Sequence, residues 1–399
     1  MGTGLTLASS LGQLSRALAS GLPVDHSSPL VRFDDRTEVL AGFETYAFSP
    51  RGEMMDDGVA VPELHDGMGC FLDEDGGYTL VRNHEIAEFD RSQRPEWAWN
   101  PACRGGTTTV RLTQDLRLRE HYLSLTGTLR NCSGGVMPWG SWLTCEERFA
   151  THNGIRHGYV FEVDHNQANS HPQPLTALGR FEHEACAWDP RYNQLYMTED
   201  RGDGNLYRFL PAEYGNLSAG GRLQALGLKP LSSEALACYW IDVAVPDPDE
   251  DSIRNATQAL GAARFARPEG LWLDTDGIYF SVTAGGRHGL GEIFRYQPVD
   301  SDSGTLQLVF ESGDKGPINP DALIRMPNGV LLVCEDSGQR HDHILALTPD
   351  GHWITLARGL RAGWTGITLS PDGRVLFVNQ QYVGRTIAIT GDWDRLAMG

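Results

Sequence analysis

The sequence of this 399-residue chain predicts an all-β fold, a six-bladed β-propeller with inserted loops and short helices. Two observations support this prediction. A strand-like group of six residues recurs six times along the chain, and hairpin turns followed by a second strand separate the copies. Loose internal repetition of hairpins without long helices is typical of a propeller rather than of a sandwich or a single barrel.

The recurring group, called here the hexad, is an apolar run that ends in hydrogen-bonding or carboxylate residues. Its sharpest copy is Trp142–Glu147. The six hexads are Leu80–Glu85, Trp142–Glu147, Leu195–Asp200, Ile278–Thr283, Leu331–Asp336 and Leu376–Gln381. Because all copies end in polar side chains, we expect one end of each strand to deliver polar groups to a common place.

Most hexads have a tight turn before them and an alternating strand after them. The turns at 189–193, 274–277 and 371–373 contain the Asp, Asn, Pro and Gly residues that favour hairpins. The strands that follow, such as 205–209 and 292–296, alternate apolar and polar residues, which predicts half-buried strands. These elements together predict a series of meandering hairpins.

We expect one propeller domain over residues 21–399, with insertions near 86–135 and 213–264. The second insertion contains the acidic run Asp247–Asp251, interpreted as a solvated face, and a short predicted helix at 253–265. Residues 1–20 include an acid-free apolar run followed by Ala17-Leu18-Ala19, the small-x-small form of an export cleavage site. We interpret them as the remnant of a signal peptide, with an amphipathic helix as the alternative, and expect a periplasmic or extracellular protein.

The net charge of −19 disfavours nucleic acid and anionic membranes as partners, because an acidic surface repels both. Outside the N-terminal segment, no apolar run approaches the ~18 residues of a membrane span. The seven cysteines lack the spacings of a disulfide framework or a zinc ribbon, and their odd number leaves at least one unpaired within the chain. We expect a monomer that binds cations.

Acidic residues recur at two positions of the repeat. Three acids stand just before the first strand of successive units, namely Glu184, Glu269 and Asp321, and acids close four hexads, namely Glu85, Glu147, Asp200 and Asp336. Two carboxylates ~4 Å apart repel by about 4 kcal/mol at an effective dielectric of 20. Turn capping or plain exposure explains any one of these acids, but recurrence at matching positions favours bound metal.

Cys145 lies within the sharpest hexad, two residues before Glu147, so the two side chains share one face of an ideal strand. Oxygen-only clusters suit calcium or magnesium, whereas a thiolate among carboxylates suits iron or zinc. Cys145 therefore indicates a mixed metal site, with a small buried hydrophobic role as the alternative. Whether Glu146 or Glu147 is the ligand stays open at this point.

Six motifs follow one another along most of the chain, namely Asn83-His84-Glu85, Gly134–Glu147, His183-Glu184-Ala185, Arg267-Pro268-Glu269, Asn319-Pro320-Asp321 and Ser370–Asn379. In this order they resemble the PhoX family of bacterial alkaline phosphatases. The resemblance implies a β-propeller exported by the twin-arginine pathway, with ferric iron and calcium ions, that hydrolyses small-molecule phosphate monoesters.

The resemblance also implies roles for individual residues. Cys145 would bind iron, and Asn83 and Arg267 would hold the phosphate. The carboxylates that would bind iron and calcium are Glu85, Glu147, Glu184, Asp200, Glu269, Asp321 and Asp336. The chain departs from the family at Gly363, where relatives often have Glu, so one calcium ligand is expected to be missing.

Two other classes of function stay open from the sequence. One is a calcium-dependent propeller hydrolase of another type, a phosphodiesterase or a lactonase. The other is a non-catalytic metal-binding propeller. Arg267 beside Glu269 favours the phosphatase, because a lactonase needs no cationic clamp for phosphate.

Overall fold

A computed structural model describes residues 24–25, 29–232, 235–313 and 316–397. The predicted signal segment, residues 1–20, lies outside the described residues. The described chain is nearly all β-structure. Its helices are the α-helices Ile253–Ala259 and Asp394–Ala397 and the 3-10 helices Thr176–Leu178 and Leu217–Ala219.

Four N-terminal strands precede the repeating part of the chain, and three of them pair with strands near its C-terminal end. They are β1 (Val24–Asp25), β2 (Leu30–Arg32), β3 (Thr37–Leu40) and β4 (Glu44–Phe48). The following strands form antiparallel meanders, which we number in chain order.

The first meander contains β5 (His65–Leu72), β6 (Tyr78–His84), β7 (Gly105–Leu112) and β8 (Leu118–Thr128). The second contains β9 (Asn131–Met137), β10 (Ser141–Glu146) and β13 (Val160–Asp164), with a side hairpin of β11 (Ala150–His152) and β12 (Ile155–His157). The third contains β14 (His183–Asp189), β15 (Gln194–Glu199), β16 (Leu206–Pro211), β17 (Gly221–Pro230) and β18 (Leu236–Asp242).

The fourth meander contains β19 (Pro268–Asp274), β20 (Gly277–Val282), β21 (Glu292–Pro298) and β22 (Gly304–Glu311). The fifth contains β23 (Pro320–Arg325), β24 (Leu331–Glu335), β25 (His341–Leu347) and β26 (Trp353–Leu360). The sixth contains β27 (Trp364–Leu369), β28 (Val375–Gln380) and β29 (Arg385–Thr390).

The meanders form a closed ring. Their first strands, β5, β9, β14, β19, β23 and β27, each contact the next, and β27 contacts β5. The N-terminal strand β4 pairs with β29 and completes the sixth meander, while β3 pairs with β26. The prediction of an all-β propeller is confirmed. Strand β18 pairs with β22 and joins the third and fourth meanders into one nine-stranded sheet, so the blade count stays a prediction.

The first strands approach one another so closely that small residues are required between them. A Cβ atom added at Gly67 would lie 2.5 Å from the Cα of Ser133, and one added at Gly366 would lie 2.3 Å from the carbonyl oxygen of Asp66. Real Cβ atoms do not make such contacts. These glycines let neighbouring backbones meet near the centre of the ring.

The hexads form the second strand of each meander, immediately outside the first. Residues of β6, β10 and β15 are buried throughout, because each meander packs against neighbours on both faces. This burial explains why the hexads read as continuous apolar runs rather than as alternating strands.

The predicted insertions are wrong in part. The region 86–135 contains β7, β8 and the start of β9, and the region 213–264 contains β17 and β18. Outer strands such as β8 and β18 are partly exposed and carry charged residues, so their sequences resemble loops. The segments between strands are shorter, about 85–104 and 243–267, and the second contains the helix Ile253–Ala259.

Candidate metal centre

A cavity of about 380 Å³ lies where the first strands of all six meanders begin. In each meander the pairing of the first two strands contains a β-bulge close to this point. A bulge re-aims a side chain. One residue from each bulge lines the cavity: Asp66, Cys132, Glu184, Glu269, Asp321 and Thr365.

A second set of side chains comes from the ends of the hexads. Five of the six closing residues line the cavity, namely Glu85, Glu147, Asp200, Asp336 and Gln381. The sixth, Thr283, instead donates its hydroxyl hydrogen to the carbonyl oxygen of Pro320 at 2.7 Å. The cavity therefore receives two layers of polar residues, as the repeat predicts.

The cavity concentrates negative charge. Burial, reinforced by the neighbouring carboxylates, raises the pKa of Asp66, Glu147, Glu184 and Glu269 well above the usual range. Burial also raises the pKa of Asp321, to about 7. These carboxylates cannot all be ionised together without compensating cations.

Two arginines compensate part of this charge. Arg130 donates from Nε to Glu85 Oε1 at 2.8 Å, and its Nη1 lies 3.2 Å from Glu147 Oε1. Arg267 donates from Nη2 to Asp200 Oδ2 at 2.9 Å and forms an ion pair with Glu269.

Arg130 and Arg267 occupy the same position in their meanders, immediately before the first strand. Both have a left-handed backbone, with φ of +53° and +60°. Leu64, Asn319 and Gly363 precede other first strands with φ of +51°, +51° and +56°. Non-glycine residues adopt this conformation at some cost, and such strained positions cluster at functional sites.

Three of the predicted carboxylates meet around one thiol, but the thiol belongs to Cys132. Its Sγ and carboxylate oxygens of Asp66 and Glu85 all lie within 4.8 Å of one another. The same limit holds for Cys132 with Glu147 and Glu184. The nearby acids Asp200, Glu269, Asp321 and Asp336 also line the cavity, and their role as metal ligands stays a prediction.

The prediction that Cys145 lies at the metal site is wrong. Cys145 is buried in the apolar cluster between the second and third meanders, and its Sγ lies 3.4 Å from that of Cys186. Cys145 is on the second strand rather than the first, so its side chain packs between meanders. Only the residue after the strand, Glu147, reaches the cavity.

Asn83 also lies away from the cavity lining, so its predicted contact with phosphate is wrong. Its Nδ2 donates to the carbonyl oxygens of Cys132 at 3.0 Å and Ser133 at 2.8 Å. Its Oδ1 accepts a hydrogen bond from Trp142 Nε1 at 2.9 Å. Asn83 thus holds the backbone of the bulge that carries Cys132.

Hydrogen bonds and position show which of Glu146 and Glu147 faces the cavity. Glu146 is fully buried and accepts from the backbone amides of Leu129, Gly158 and Tyr159, at 2.8, 2.8 and 3.1 Å, and contacts His157 Nδ1 at 2.6 Å. Glu147 lines the cavity instead.

The sequence interpretation missed Asp66, Cys132, Arg130 and Tyr382, which also line the cavity. Gln381 was recognised as the end of a hexad but given no role; its Nε2 donates to Glu85 Oε2 at 2.6 Å and also to Asp66. An alignment of His65-Asp66-Gly67 with His183-Glu184-Ala185 would have found Asp66.

The family model for alkaline phosphatase PhoX matches residues 25–384. The chain belongs to the PhoX family. PhoX proteins are alkaline phosphatases, so the reaction class is the hydrolysis of phosphoric monoesters. No curated protein sequence matches the chain significantly.

Several solved structures have a similar fold. Pseudomonas fluorescens PhoX, in complex with the transition-state analogue vanadate, superimposes with a TM-score of 0.70 and 18% identity, over 94% of this chain and 98% of that one. A gluconolactonase from Xanthomonas campestris superimposes with a TM-score of 0.50 and 13% identity, over 94% of this chain and 99% of that one. A Bacteroides thetaiotaomicron protein of unknown function superimposes with a TM-score of 0.52 and 10% identity, over 88% of this chain and 76% of that one. At these identities the similarity concerns the fold alone.

Among the described residues, no helix has the length and apolar character needed to cross a membrane.

Proposed function

We propose that this PhoX-family chain hydrolyses phosphate monoesters in the cavity at the start of the first strands, using ferric iron and calcium ions. The observation that carries the proposal is the double layer of carboxylates around one thiol and two arginines. Multivalent cations would allow these carboxylates to be ionised together, because they repel one another at short range.

The donor atoms fit two kinds of metal. Cys132 offers a thiol within reach of Asp66, Glu85, Glu147 and Glu184, and sulfur among carboxylates suits iron. Glu269, Asp321, Asp200 and Asp336 offer oxygen atoms only, which suits calcium. Gly363 also lines the cavity but brings no side-chain ligand.

When bound, such cations neutralise the non-bridging oxygens of a phosphate ester and lower the pKa of a water molecule. The arginines supply the remaining contacts. Arg267 keeps 38% of its side chain exposed, and its Nη1 makes no hydrogen bond within the described part of the chain. The guanidinium can therefore turn a free edge toward the phosphate while Asp200 and Glu269 hold it in place.

Arg130 provides a second guanidinium at the equivalent position, held by Glu85 and Glu147. Two fixed guanidiniums bind phosphate with less loss of side-chain entropy than mobile ones. We therefore assign phosphate binding to Arg267 and Arg130. The lactonase alternative is less favoured, because neutral lactones need no paired cations.

Elemental analysis of protein purified without chelator, together with turnover of an aryl phosphate, tests this proposal. We expect iron and calcium in the protein and loss of phosphatase activity after treatment with chelator. Protein without either metal that still hydrolyses the aryl phosphate would overturn the metal assignment. Hydrolysis of a lactone but of no phosphate ester would favour the alternative.

Export by the twin-arginine pathway to the periplasm or beyond, and a monomeric state, stay predictions. Fractionation of cells into periplasm and cytoplasm tests the first. Sedimentation of the purified protein at several concentrations tests the second.

A further inference from the structure

Three arginines surround an open groove of about 660 Å³ on the surface. They are Arg36 in the turn between β2 and β3, Arg340 between β24 and β25, and Arg361 between β26 and β27. All three are exposed. None of them forms an ion pair or a side-chain hydrogen bond with any residue that the structure describes.

Acidic residues outnumber basic ones in this chain, 52 to 33, so a surface lined mainly by arginines stands out from its net charge. Neighbouring arginines are paired: Arg358 with Glu38, and Arg385 with Asp34. The one acid that lines the groove, Asp35, is engaged by Arg32. The groove therefore concentrates positive charge on a strongly negative protein.

Backbone hydrogen bonds hold the three arginines together. The amide of Arg361 donates to the carbonyl oxygen of Arg340 at 3.0 Å, and the amide of Leu360 donates to that of Arg36 at 2.7 Å. Three like charges repel one another, and the acid that lines the groove, Asp35, is already paired with Arg32, so the cluster is poised to bind an anion.

The groove lies beside the metal cavity. Gly363 lines the cavity and Arg361, which lines the groove, is only two residues away. Asp336 lines the cavity and Arg340 lines the groove four residues later. A chain spans at most about 3.6 Å per residue, so the backbone separations are at most about 7 and 14 Å.

We propose that Arg36, Arg340 and Arg361 bind a second phosphate group of the substrate, remote from the phosphate that is hydrolysed. This inference rests on the proposed phosphatase function and names its substrate class: small molecules with two or more phosphate groups. Arginine suits this role because its planar guanidinium donates two parallel hydrogen bonds to a phosphate.

The test compares a sugar bisphosphate with the monophosphate of the same sugar, using wild type and the triple variant Arg36→Ala, Arg340→Ala, Arg361→Ala. We expect the ratio of kcat/KM for the bisphosphate to that for the monophosphate to fall at least tenfold, the effect of losing a charge-assisted contact. An unchanged ratio would overturn the inference. Replacement of all three by lysine is expected to restore part of the ratio.

Arg374→Ala is the matched control. Arg374 is also exposed and has no ion pair among the described residues, but it lies in the turn between β27 and β28, at the far end of the first strand. We expect its ratio to equal that of wild type. If Arg374→Ala lowered the bisphosphate-to-monophosphate ratio of kcat/KM as much as the triple variant does, the effect would be one of general charge and would overturn the assignment of the groove.

Failure of the proposed function has a different signature: wild-type protein loaded with metals would hydrolyse neither ester. Calorimetric titration with the bisphosphate then tests the groove directly, and equal affinity of wild type and triple variant would overturn it. Titration with inorganic phosphate tests whether the groove binds free phosphate rather than a phosphate group of the substrate. Equal binding of the free ion and the bisphosphate at the groove would overturn its assignment to the substrate.

Discussion

The Sγ atoms of Cys145 and Cys186 lie 3.4 Å apart in the apolar layer between the second and third meanders. Burial raises the pKa of the Cys145 thiol well above its usual range, which keeps it protonated. This contact distinguishes the environment of Cys145 from that of Cys132, which the sequence alone does not do. Cys145 packs between meanders, whereas Cys132 lies among the carboxylates of the cavity.

Cys132→Ser is therefore expected to lower the iron content and the phosphatase activity strongly, because a hydroxyl binds iron less well than a thiolate. Cys145→Ser is the control and is expected to retain its metal. Its cost is a polar group in an apolar layer, about 1–3 kcal/mol of stability. Metal analysis and thermal unfolding of both variants check this. Iron loss in Cys145→Ser alone would contradict the assignment.

The wrong position for Cys145 shows where sequence reasoning reaches its limit. The alternation of side chains along a strand placed Cys145 and Glu147 on one face, but Glu147 lies beyond the end of β10. The bulge in β9, between Asn131 and Gly134, places Cys132 at the cavity. Bulges leave little trace in a single sequence, because one extra residue shifts the alternation of side chains between the two faces of a strand without changing the composition.

The carboxylates were easier to predict, because recurrence at fixed positions carries more information than any one residue. The closing residues Glu85, Glu147, Asp200 and Asp336 all reach the cavity. Arg130, the counterpart of Arg267, was missed because residue type varies at the equivalent positions Leu64, Asn319 and Gly363, which share only the positive φ. The outer strands were missed because they are half exposed.

Gly363 offers a test of this backbone position. Its φ is +56°, and a Cβ atom there would lie 2.7 Å from Cε2 of Tyr382. Gly363→Ala is therefore expected to destabilise the protein by more than the roughly 1 kcal/mol that a left-handed backbone costs alanine. Thermal unfolding measures this loss.

Gly58→Ala is the matched control, because Gly58 has φ of +76° and no atom within 4 Å of an added Cβ. The excess loss in Gly363→Ala is expected to vanish when Tyr382→Ala is added. An excess that persists in the double variant would show that contact with Tyr382 is not its cause.

Glu292 gives a pH dependence that is separate from the cavity. Burial, with the charge of the facing Glu311, raises the pKa of Glu292 to about 7. Because this pKa is raised in the folded state, its contribution to stability is present below pH ~4.5 and is lost as the pH rises to 7. Glu292→Gln removes the ionisation.

The variant is therefore expected to gain stability relative to wild type between pH 5 and pH 8, by up to about 3 kcal/mol. Thermal unfolding at both pH values, at equal metal loading, measures the difference. Asp300→Asn, at an exposed turn, serves as the control. A constant difference between Glu292→Gln and wild type across this range would contradict the prediction.

Arg267 separates a phosphatase from other metal-dependent hydrolases. Its guanidinium is fixed by Asp200 and Glu269 and keeps Nη1 free within the described chain. Arg267→Ala is expected to weaken binding of inorganic phosphate and to lower turnover of an aryl phosphate by about a hundredfold, or about 3 kcal/mol. Arg267→Lys is expected to recover only part of this loss, because an ammonium keeps the charge without the two-pronged geometry.

The alternative role for Arg267 is to neutralise Asp200 and Glu269 and so hold the loop before β19. Metal content distinguishes the two roles, because loss of a purely neutralising arginine changes how the carboxylates bind cations. Arg130→Ala, measured in parallel, tests the equivalent position, and a similar loss of phosphate affinity is expected there. Arg267→Ala with full metal loading and unchanged turnover of the aryl phosphate would show that this arginine neither binds the phosphate nor controls metal binding, and would contradict the assignment.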